Sequence, residues 1–319
     1  MRGFAMTTMI NPQPELPMEL RRAERLFQQV VPPRLVRRTG ESDVFVTNLR
    51  VTGYDAFEVS VQLPAAHSFY GPTGNRHDSL LLLECVRQAG LLVGHVAYEI
   101  PREFKFVTHD KQFQFDPAGL RTAGDQPVDL VMMVTQHDVK RRGRRIASMR
   151  TEVEVLRDGK RVGTATYRWS CVSGPAYAKL RSEYKDAAPL PSDATPVAPE
   201  RVGRVDEVDV LLAERSEGRG WALRVSPDHS VIYDHVIDHV PGNAVVEAAR
   251  QAALLAAGSP GALPVAGDLR FSHYLEFDAP CHVWAEVVGS TAGGTTGVRF
   301  VIEQSGRDAV NGVIELLVP

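Results

Sequence analysis

The sequence has little that would suit a secreted, membrane-spanning or zinc-centred protein. Its three cysteines, Cys85, Cys171 and Cys281, lack CxxC spacing and give neither a disulfide framework nor a zinc site. The longest apolar stretch, from Leu80 to Val93, is interrupted by charged and polar residues and falls short of a membrane span. The N-terminal stretch has no hydrophobic core of the length a secretory signal needs. We therefore expect a cytoplasmic protein that inserts into no membrane.

Charge of one sign and cofactor motifs are also sparse. The net charge is −3, so no global field favours nucleic acid or an anionic membrane. The sequence contains no GxGxxG, P-loop or HExxH pattern. We therefore expect the chemistry to come from side chains alone, without a metal or another cofactor.

An apolar helix with one polar row occurs twice. In the first copy, Glu84, Arg87 and Gln88 stand at positions i, i+3 and i+4, which share one face of a helix. The same pattern recurs 163 residues later in an equally apolar stretch, where Glu247, Arg250 and Gln251 form the second polar row. A buried carboxylate and guanidinium must pair or serve a ligand, because isolated buried charges are costly. The repetition favours a site, and an ion pair that only satisfies itself is the alternative.

The halves repeat one order of elements: two strands, a long apolar helix, then about four strands. We predict helices at Ser79–Tyr98 and Asn243–Ala257, and strands in the first half at Asp43–Leu49, Ala56–Leu63, Phe104–Phe115, Val128–Asp138, Arg145–Leu156 and Arg161–Ser173. The second-half strands are predicted at Val208–Leu212, Gly220–Val225, Leu269–Phe277, His282–Gly289, Gly297–Gln304 and Ala309–Val318, with a glycine turn at 292–294.

These elements predict an α+β protein made of two hot-dog units. A helix without an exposed polar face needs cover on most sides, and a curved antiparallel sheet can provide it. Two such units can pair edge to edge as a pseudo-dimer within one chain. The predicted division is a lead-in at 1–40, a first hot-dog domain at 41–175, a Pro/Ala-rich linker at 176–200 and a second hot-dog domain at 201–319.

Two motifs around the polar rows carry a resemblance to a known family. One begins Asp234-His-Val-Ile-Asp-His-Val-Pro-Gly242 and continues with Glu247-Ala-Ala-Arg-Gln; the other joins His77-Asp to Glu84-Cys-Val-Arg-Gln-Ala. Together they resemble the repeats of the A-factor synthase family, tandem hot-dog proteins that make γ-butyrolactone, butenolide and furan signalling molecules. The resemblance implies an acyltransferase that moves a 3-oxoacyl group from acyl carrier protein, or a thioester analogue, to the hydroxyl of dihydroxyacetone phosphate.

A more distant resemblance, to hot-dog 3-hydroxyacyl-carrier dehydratases, implies where the site lies. It puts His235 on a loop facing Glu84 across the interface between the units, with Glu247 at the corresponding helix position of the second unit. The first unit has Pro72 near the histidine position, so we expect two unequal sites. His235 is the candidate base, and Glu84 or Glu247 acts as base or orients the histidine. A loop cluster, in which His229, His235 and His239 are held by neighbouring aspartates, is the structural alternative.

The remaining substrate contacts follow from the chemistry of the implied reaction. A phosphate calls for cations, and the polar rows supply the first candidates. Candidate substrate-binding residues are Arg87, Arg250, Gln88, Gln251, Arg270 and Lys105. The start of the second helix, at Gly242 and Asn243, offers free backbone N–H groups for an oxyanion.

A basic hairpin tip is the candidate docking surface for an acidic carrier protein. It comprises Arg141, Arg142, Arg144 and Arg145, and a solvated turn is the alternative reading. Two rival functions stay open: a hot-dog dehydratase or thioesterase, and a non-catalytic acyl-binding regulator. The acyl chain length and the oligomeric state also stay open.

Overall fold

The two halves share one continuous antiparallel sheet. We describe it from a computed structural model that covers residues 29–190, 194–290 and 294–319. The first half contributes β1 to β6: Val46–Gly53, Ala56–Leu63, Lys105–Phe115, Val128–Arg142, Arg145–Arg157 and Lys160–Val172. The second half contributes β7 to β12: Leu212–Ala213, Trp221–Leu223, Leu263–Phe271, Cys281–Ser290, Thr296–Gln304 and Arg307–Leu317.

The strand order has a pseudo-two-fold pattern centred on β3 and β9. Across the sheet it reads β1-β2-β4-β5-β6-β3-β9-β12-β11-β10-β8-β7. The central strands pair antiparallel, with Lys111 opposite Leu269 and Phe113 opposite Gly267. A Cβ on Gly267 would lie 2.5 Å from the Phe113 ring, so the glycine lets this ring pack over the junction. The predicted double hot-dog of the α+β class is therefore confirmed.

Each half of the sheet encloses one of the predicted helices. Helix α1 spans Ser79–Val96, and the Asp78 side chain caps it by accepting from the Leu80 N–H at 2.8 Å. Every residue of α1 except Arg87 is buried, so this helix, which is long and apolar enough to cross a membrane, lies inside the fold as its core. The corresponding helix α3, Gly242–Ala257, ends at Gly258, whose φ of 60° is favourable for glycine.

The structure differs from several predicted elements, among them the strand Val208–Leu212, where a 3₁₀ turn spans Glu207–Asp209 and the strand begins only at Leu212. Residues 174–180, most of which fall in the predicted linker, form a short helix, α2 (Gly174–Leu180), with a proline in its first turn. Strand β9 begins at Leu263 and ends at Phe271, so the predicted strand end at Leu275–Phe277 lies outside it. The sequence pattern missed the beginning of this strand because Pro264 and Gly267 are residues that normally weaken strands. The glycine turn predicted at 292–294 and part of the lead-in, residues 1–28, lie largely outside the described residues.

Candidate active site

The carboxylate of Glu84 lies at the centre of a buried hydrogen-bonded cluster. It accepts from Arg87 (2.7 Å), Gln88 (2.7 Å) and the Asn243 side chain of the other half (2.8 Å). Arg38, from the segment before β1, approaches the same carboxylate at 2.8 Å. Burial opposes ionisation of Glu84, but Arg38 and Arg87 hold its pKa well below the usual range. Glu84 therefore stays ionised and fully paired, which suits a positioning role and not that of a base.

Glu247 lies in an equivalent cluster in the second half. It accepts from Arg250 (2.7 Å), Gln251 (2.5 Å) and Arg204 (2.9 Å), which precedes β7 as Arg38 precedes β1. Burial again opposes ionisation, yet Arg204 and Arg250 lower the pKa of Glu247 to about 2. The Glu247 side chain is fully buried and paired with Arg204 and Arg250, so it too suits a positioning role.

The two glutamines of the polar rows form hydrogen bonds with backbone groups. These bonds stand in place of the substrate contact predicted for them. Gln88 accepts from the Phe45 N–H at 2.9 Å and donates to the Asp43 carbonyl at 2.7 Å. Gln251 makes the same pair of contacts with Leu211 and Asp209, at 2.9 and 2.8 Å. Since each amide also donates to its neighbouring glutamate, no amide N–H is left for a ligand.

A cavity of about 950 Å³ opens between the halves beside the first polar row. Its lining combines cations and apolar side chains of the first half with the loop before α3 and the start of that helix. Arg87, with 27% of its side chain exposed, faces this cavity, whereas its counterpart Arg250 is 4% exposed and does not line it. Of the two polar rows, the first therefore reaches this cavity, through Arg87, and the second does not.

His235 lines the cavity and forms a dyad with the preceding residue. Its Nδ1 lies 2.6 Å from Oδ1 of Asp234, whose side chain is only 5% exposed. The other Asp234 oxygen accepts from the Thr39 N–H at 3.3 Å and lies 3.6 Å from Arg38. An aspartate at Nδ1 favours the tautomer with its proton there, which leaves Nε2 as a free acceptor. His235 and Glu84 are therefore linked through Asp234 and Arg38, and no direct contact between them occurs in the described residues.

The other histidines of the predicted loop cluster have separate roles. His229 is buried against Asp209 at 3.0 Å and accepts backbone N–H groups of Val231 and Ile232, so its role is structural. His67 does the same with Asp43 in the first half. His239 lines the cavity, with Nδ1 2.8 Å from Asp238.

Helix α2 and the residue after it build the wall of the cavity beside His239. The Tyr177 hydroxyl donates to Asp238 at 2.7 Å. Arg181 binds Asp238 at 3.1 Å and both carboxylate oxygens of Glu276, at 2.5 and 2.6 Å. The composition of this segment predicted a linker, so sequence reasoning missed both residues.

Three cations line the cavity, and one of them, Arg87, is already paired with Glu84 at 2.7 Å. Arg87 and Lys105 were predicted, and Arg37 joins them. Burial and then Arg87 lower the pKa of Arg37 to about 10, and burial and then Arg37 lower the pKa of Lys105. Such mutual repulsion is relieved by a bound anion. Arg270 lies elsewhere: it lines a separate pocket with Trp284 and Arg299 and is not part of the lining of this cavity.

The start of α3 supplies backbone donors at the same cavity. Gly242 and Asn243 line it, and no side chain among the described residues caps the helix. The first N–H groups of a helix have no partner within it, and the helix dipole favours negative charge there. The arrangement therefore combines a histidine–aspartate dyad, a helix start with free backbone N–H groups and a set of cations.

The basic hairpin tip contacts the segment that precedes β3. Arg141, Arg142, Arg144 and Arg145 are all exposed at the turn between β4 and β5. The Arg145 guanidinium lies 5.7 Å from the ring centre of Phe104, which immediately precedes the cavity residues Lys105 and Phe106.

This fold and cavity define a double hot-dog protein whose candidate site lies between its two units. The A-factor biosynthesis hotdog domain matches the chain twice, at residues 21–173 and 185–308, and the chain belongs to that family. It is 36% identical, over 86% of its length and 93% of the relative, to a 2-oxo-3-(phosphooxy)propyl 3-oxoalkanoate synthase of Streptomyces virginiae. A synthase of the same name from Streptomyces coelicolor is 35% identical over 86% of this chain and 88% of its own.

A solved structure supports the fold alone. The chain is similar to a 12:0-ACP thioesterase from Umbellularia californica, with a TM-score of 0.53 over 85% of this chain and 100% of the other. At 10% identity, this likeness carries no functional argument.

Proposed function

We propose that this protein transfers a 3-oxoacyl group from a thioester to the hydroxyl of dihydroxyacetone phosphate. The product is then a 2-oxo-3-(phosphooxy)propyl 3-oxoalkanoate, the compound in the names of its Streptomyces relatives. The observation that carries the proposal is one cavity that holds both the His235–Asp234 dyad and the cluster of Arg37, Arg87 and Lys105. Transfer to a phosphorylated alcohol needs both a base and a phosphate-binding group.

His235 is the base of the proposed mechanism. Its Nε2 takes the hydroxyl proton of dihydroxyacetone phosphate as the alcohol oxygen attacks the thioester carbonyl. Asp234 keeps the imidazole in the required tautomer and stabilises the imidazolium that forms. The carbonyl oxygen becomes an oxyanion, for which the Gly242 and Asn243 N–H groups are the donors. Collapse of this intermediate breaks the C–S bond, and His235 returns its proton to the leaving thiolate.

The surrounding cluster positions these groups. Arg38 contacts both Asp234 and Glu84, and Asn243 donates to Glu84 from the start of α3. Glu84 thereby fixes the helix that carries the oxyanion donors relative to the segment that holds Asp234. We assign Glu84 a positioning role in the reaction, while Glu247, Arg250 and Gln251 serve the equivalent structural cluster of the second half.

The donor in the proposed reaction is acyl carrier protein, and the setting is the cytoplasm. Carrier proteins are acidic, so the exposed arginines of the β4–β5 tip offer complementary charge. Arg145 of this tip lies beside Phe104, the residue before the cavity residue Lys105, which supports docking on this side of the protein.

Product analysis tests the proposal directly. Purified protein is incubated with a 3-oxoacyl thioester and dihydroxyacetone phosphate, and the products are identified by mass spectrometry. We expect the phosphorylated ester, with its rate lowered about 10²- to 10⁴-fold by His235→Ala and also by Asp234→Asn, as for loss of a general base. His137→Ala, which alters a histidine outside the cavity lining, is the matched control. Free 3-oxo acid or an enoyl product would instead identify a thioesterase or a dehydratase, and binding without turnover would identify a regulator.

A further inference from the structure

Lys111 is a buried lysine that the proposed mechanism does not use. It lies in β3, where it alternates with Phe113 and Phe115 on the inner face of the sheet, and it is 8% exposed. Its cross-strand neighbours are Leu269 on one side and Tyr167 on the other, at the junction of the two halves.

The Lys111 ammonium has no partner among the described residues. No hydrogen bond or ion pair joins it to any of them. Burial lowers the pKa of Lys111 to about 8, with Glu84 opposing that shift and Arg87 adding to it. Lys111 lines the cavity, so its ammonium, which has no acceptor from the protein, can donate to a polar ligand there.

The Tyr167 hydroxyl is also buried, and it makes no hydrogen bond of ordinary geometry within the described chain. The Thr151 side chain lies near enough to lower the pKa of Tyr167, against the larger rise that burial causes. Its cross-strand neighbour Thr151 already donates to Gln136 at 2.7 Å and accepts from Trp169 at 2.8 Å. Buried hydroxyls are rarely left unsatisfied, so this oxygen also calls for a ligand.

A glycine of α1 makes room for this hydroxyl. A Cβ on Gly90 would lie 1.8 Å from the Tyr167 hydroxyl oxygen, so any larger residue would displace the ring. The corresponding residue of α3, 163 positions later, is Ala253. The space for a phenol at the helix is therefore not repeated in the second copy of the helix motif.

Both side chains line the same cavity as His235, among apolar residues. Leu91, Phe106, Val245 and Phe271 form apolar parts of that lining. Residues opposed on one face of a sheet have Cβ atoms about 5 Å apart, so the two donors can converge on one acceptor. A ketone oxygen has two lone pairs and can accept from both. An acyl chain with a carbonyl near its thioester end matches such a place, because it supplies one polar atom within an otherwise apolar chain.

We propose that Lys111 and Tyr167 form a subsite that binds the 3-oxo oxygen of the acyl chain and selects 3-oxoacyl over saturated acyl donors. The inference rests on the acyl transfer proposed above. A saturated chain would leave both buried donors unpaired, which is the physical basis of strong discrimination. The subsite acts in addition to the base and the phosphate-binding cations.

The test compares two donors in wild type and variants. Transfer to dihydroxyacetone phosphate is measured with 3-oxooctanoyl and octanoyl N-acetylcysteamine thioesters. We expect wild type to prefer the 3-oxo donor, and Lys111→Met and Tyr167→Phe each to reduce that preference in kcat/KM by about tenfold or more. Values for the saturated donor should not fall. Lys105→Met serves as a control that raises the KM for dihydroxyacetone phosphate and leaves the donor preference intact.

A binding measurement separates failure of the subsite from failure of the proposed reaction. Non-reactive 3-oxooctanoyl and octanoyl amides of cysteamine are titrated by calorimetry into wild type and both variants, with folding checked by circular dichroism. If wild type makes no ester from either thioester, the proposed transfer fails, and the ratio of the two dissociation constants still decides the subsite. A ratio that Lys111→Met and Tyr167→Phe both leave unchanged overturns the inference.

Discussion

Arg38 of the first half donates to the backbone carbonyl of Val231 in the second half, at 2.6 Å. Arg204 of the second half makes the reciprocal bond to the carbonyl of Phe69. Each arginine also pairs with the glutamate of its own polar row. The two clusters therefore hold the two halves together and also neutralise the glutamate of each polar row.

The two arginines allow structure and activity to be separated. Arg38→Met and Arg204→Met should each lower the free energy of unfolding by about 3 kcal/mol or more, because each breaks a buried ion pair. Only Arg38 also approaches Asp234, at 3.6 Å, so only Arg38→Met should lower kcat markedly at temperatures where both variants are folded. Urea unfolding and steady-state kinetics measure the two effects. Equal losses of kcat in both variants would contradict the proposed role of Arg38 in positioning the dyad.

Glu247 predicts a specific acid sensitivity. Its pKa falls from an ordinary 4.5 to about 2 in the folded protein. A carboxyl whose pKa is depressed by folding contributes stability above its unfolded pKa and loses it as pH falls through the folded value. The melting temperature should therefore drop between about pH 4.5 and pH 2. Glu247→Gln should be less stable at pH 7 and show a shallower decline in that window, and an unchanged slope would exclude this contribution.

Lys105 and Arg270 form a matched pair for the phosphate site. Both were candidates from the sequence, but Lys105 lines the cavity and Arg270 lines a separate pocket. Lys105→Met should raise the KM for dihydroxyacetone phosphate about tenfold, in line with loss of one charge-assisted contact, and affect unphosphorylated dihydroxyacetone much less. Arg270→Met should change neither KM. An effect of Arg270→Met equal to that of Lys105→Met would place the phosphate elsewhere.

The local patterns of the sequence predicted the fold and the residues of the two polar rows. Hydrophobic periodicity and the repeated spacing of Glu84, Arg87 and Gln88 predicted both helices, because these signals lie within a few residues of each other. Arg38 and Arg204 were missed because each reaches its glutamate from an irregular segment 43 or more residues away. Arg38 and Arg204 precede the first strand of their own half by a similar number of residues, and this similarity was the available signal.

The sequence contained two further signals, but its composition favoured other interpretations of these segments. The period-two run of Lys111, Phe113 and Phe115 puts a lysine on a buried face, which is an unusual place for an unpaired charge. Ser173 before Gly174-Pro175 is a helix-start pattern, yet the proline-rich residues that follow favoured a linker. The sequence could not predict that α2, β3 and the loop before α3 face one cavity. This arrangement depends on the pairing of β3 with β9.

Charge reversal at the β4–β5 tip tests carrier docking. Arg141→Glu combined with Arg144→Glu should raise the KM for a carrier-bound donor by about tenfold or more at low salt, because electrostatic steering is lost. The KM for an N-acetylcysteamine thioester should not change, since this donor reaches the cavity without a carrier. Lys160→Glu with Arg161→Glu makes the same charge change at the β5–β6 turn, at the opposite end of β5, and should leave both constants unaltered. The predicted difference should shrink as salt is added, because screening weakens contacts between exposed charges. Equal effects on both donors would instead indicate a general disturbance of the cavity.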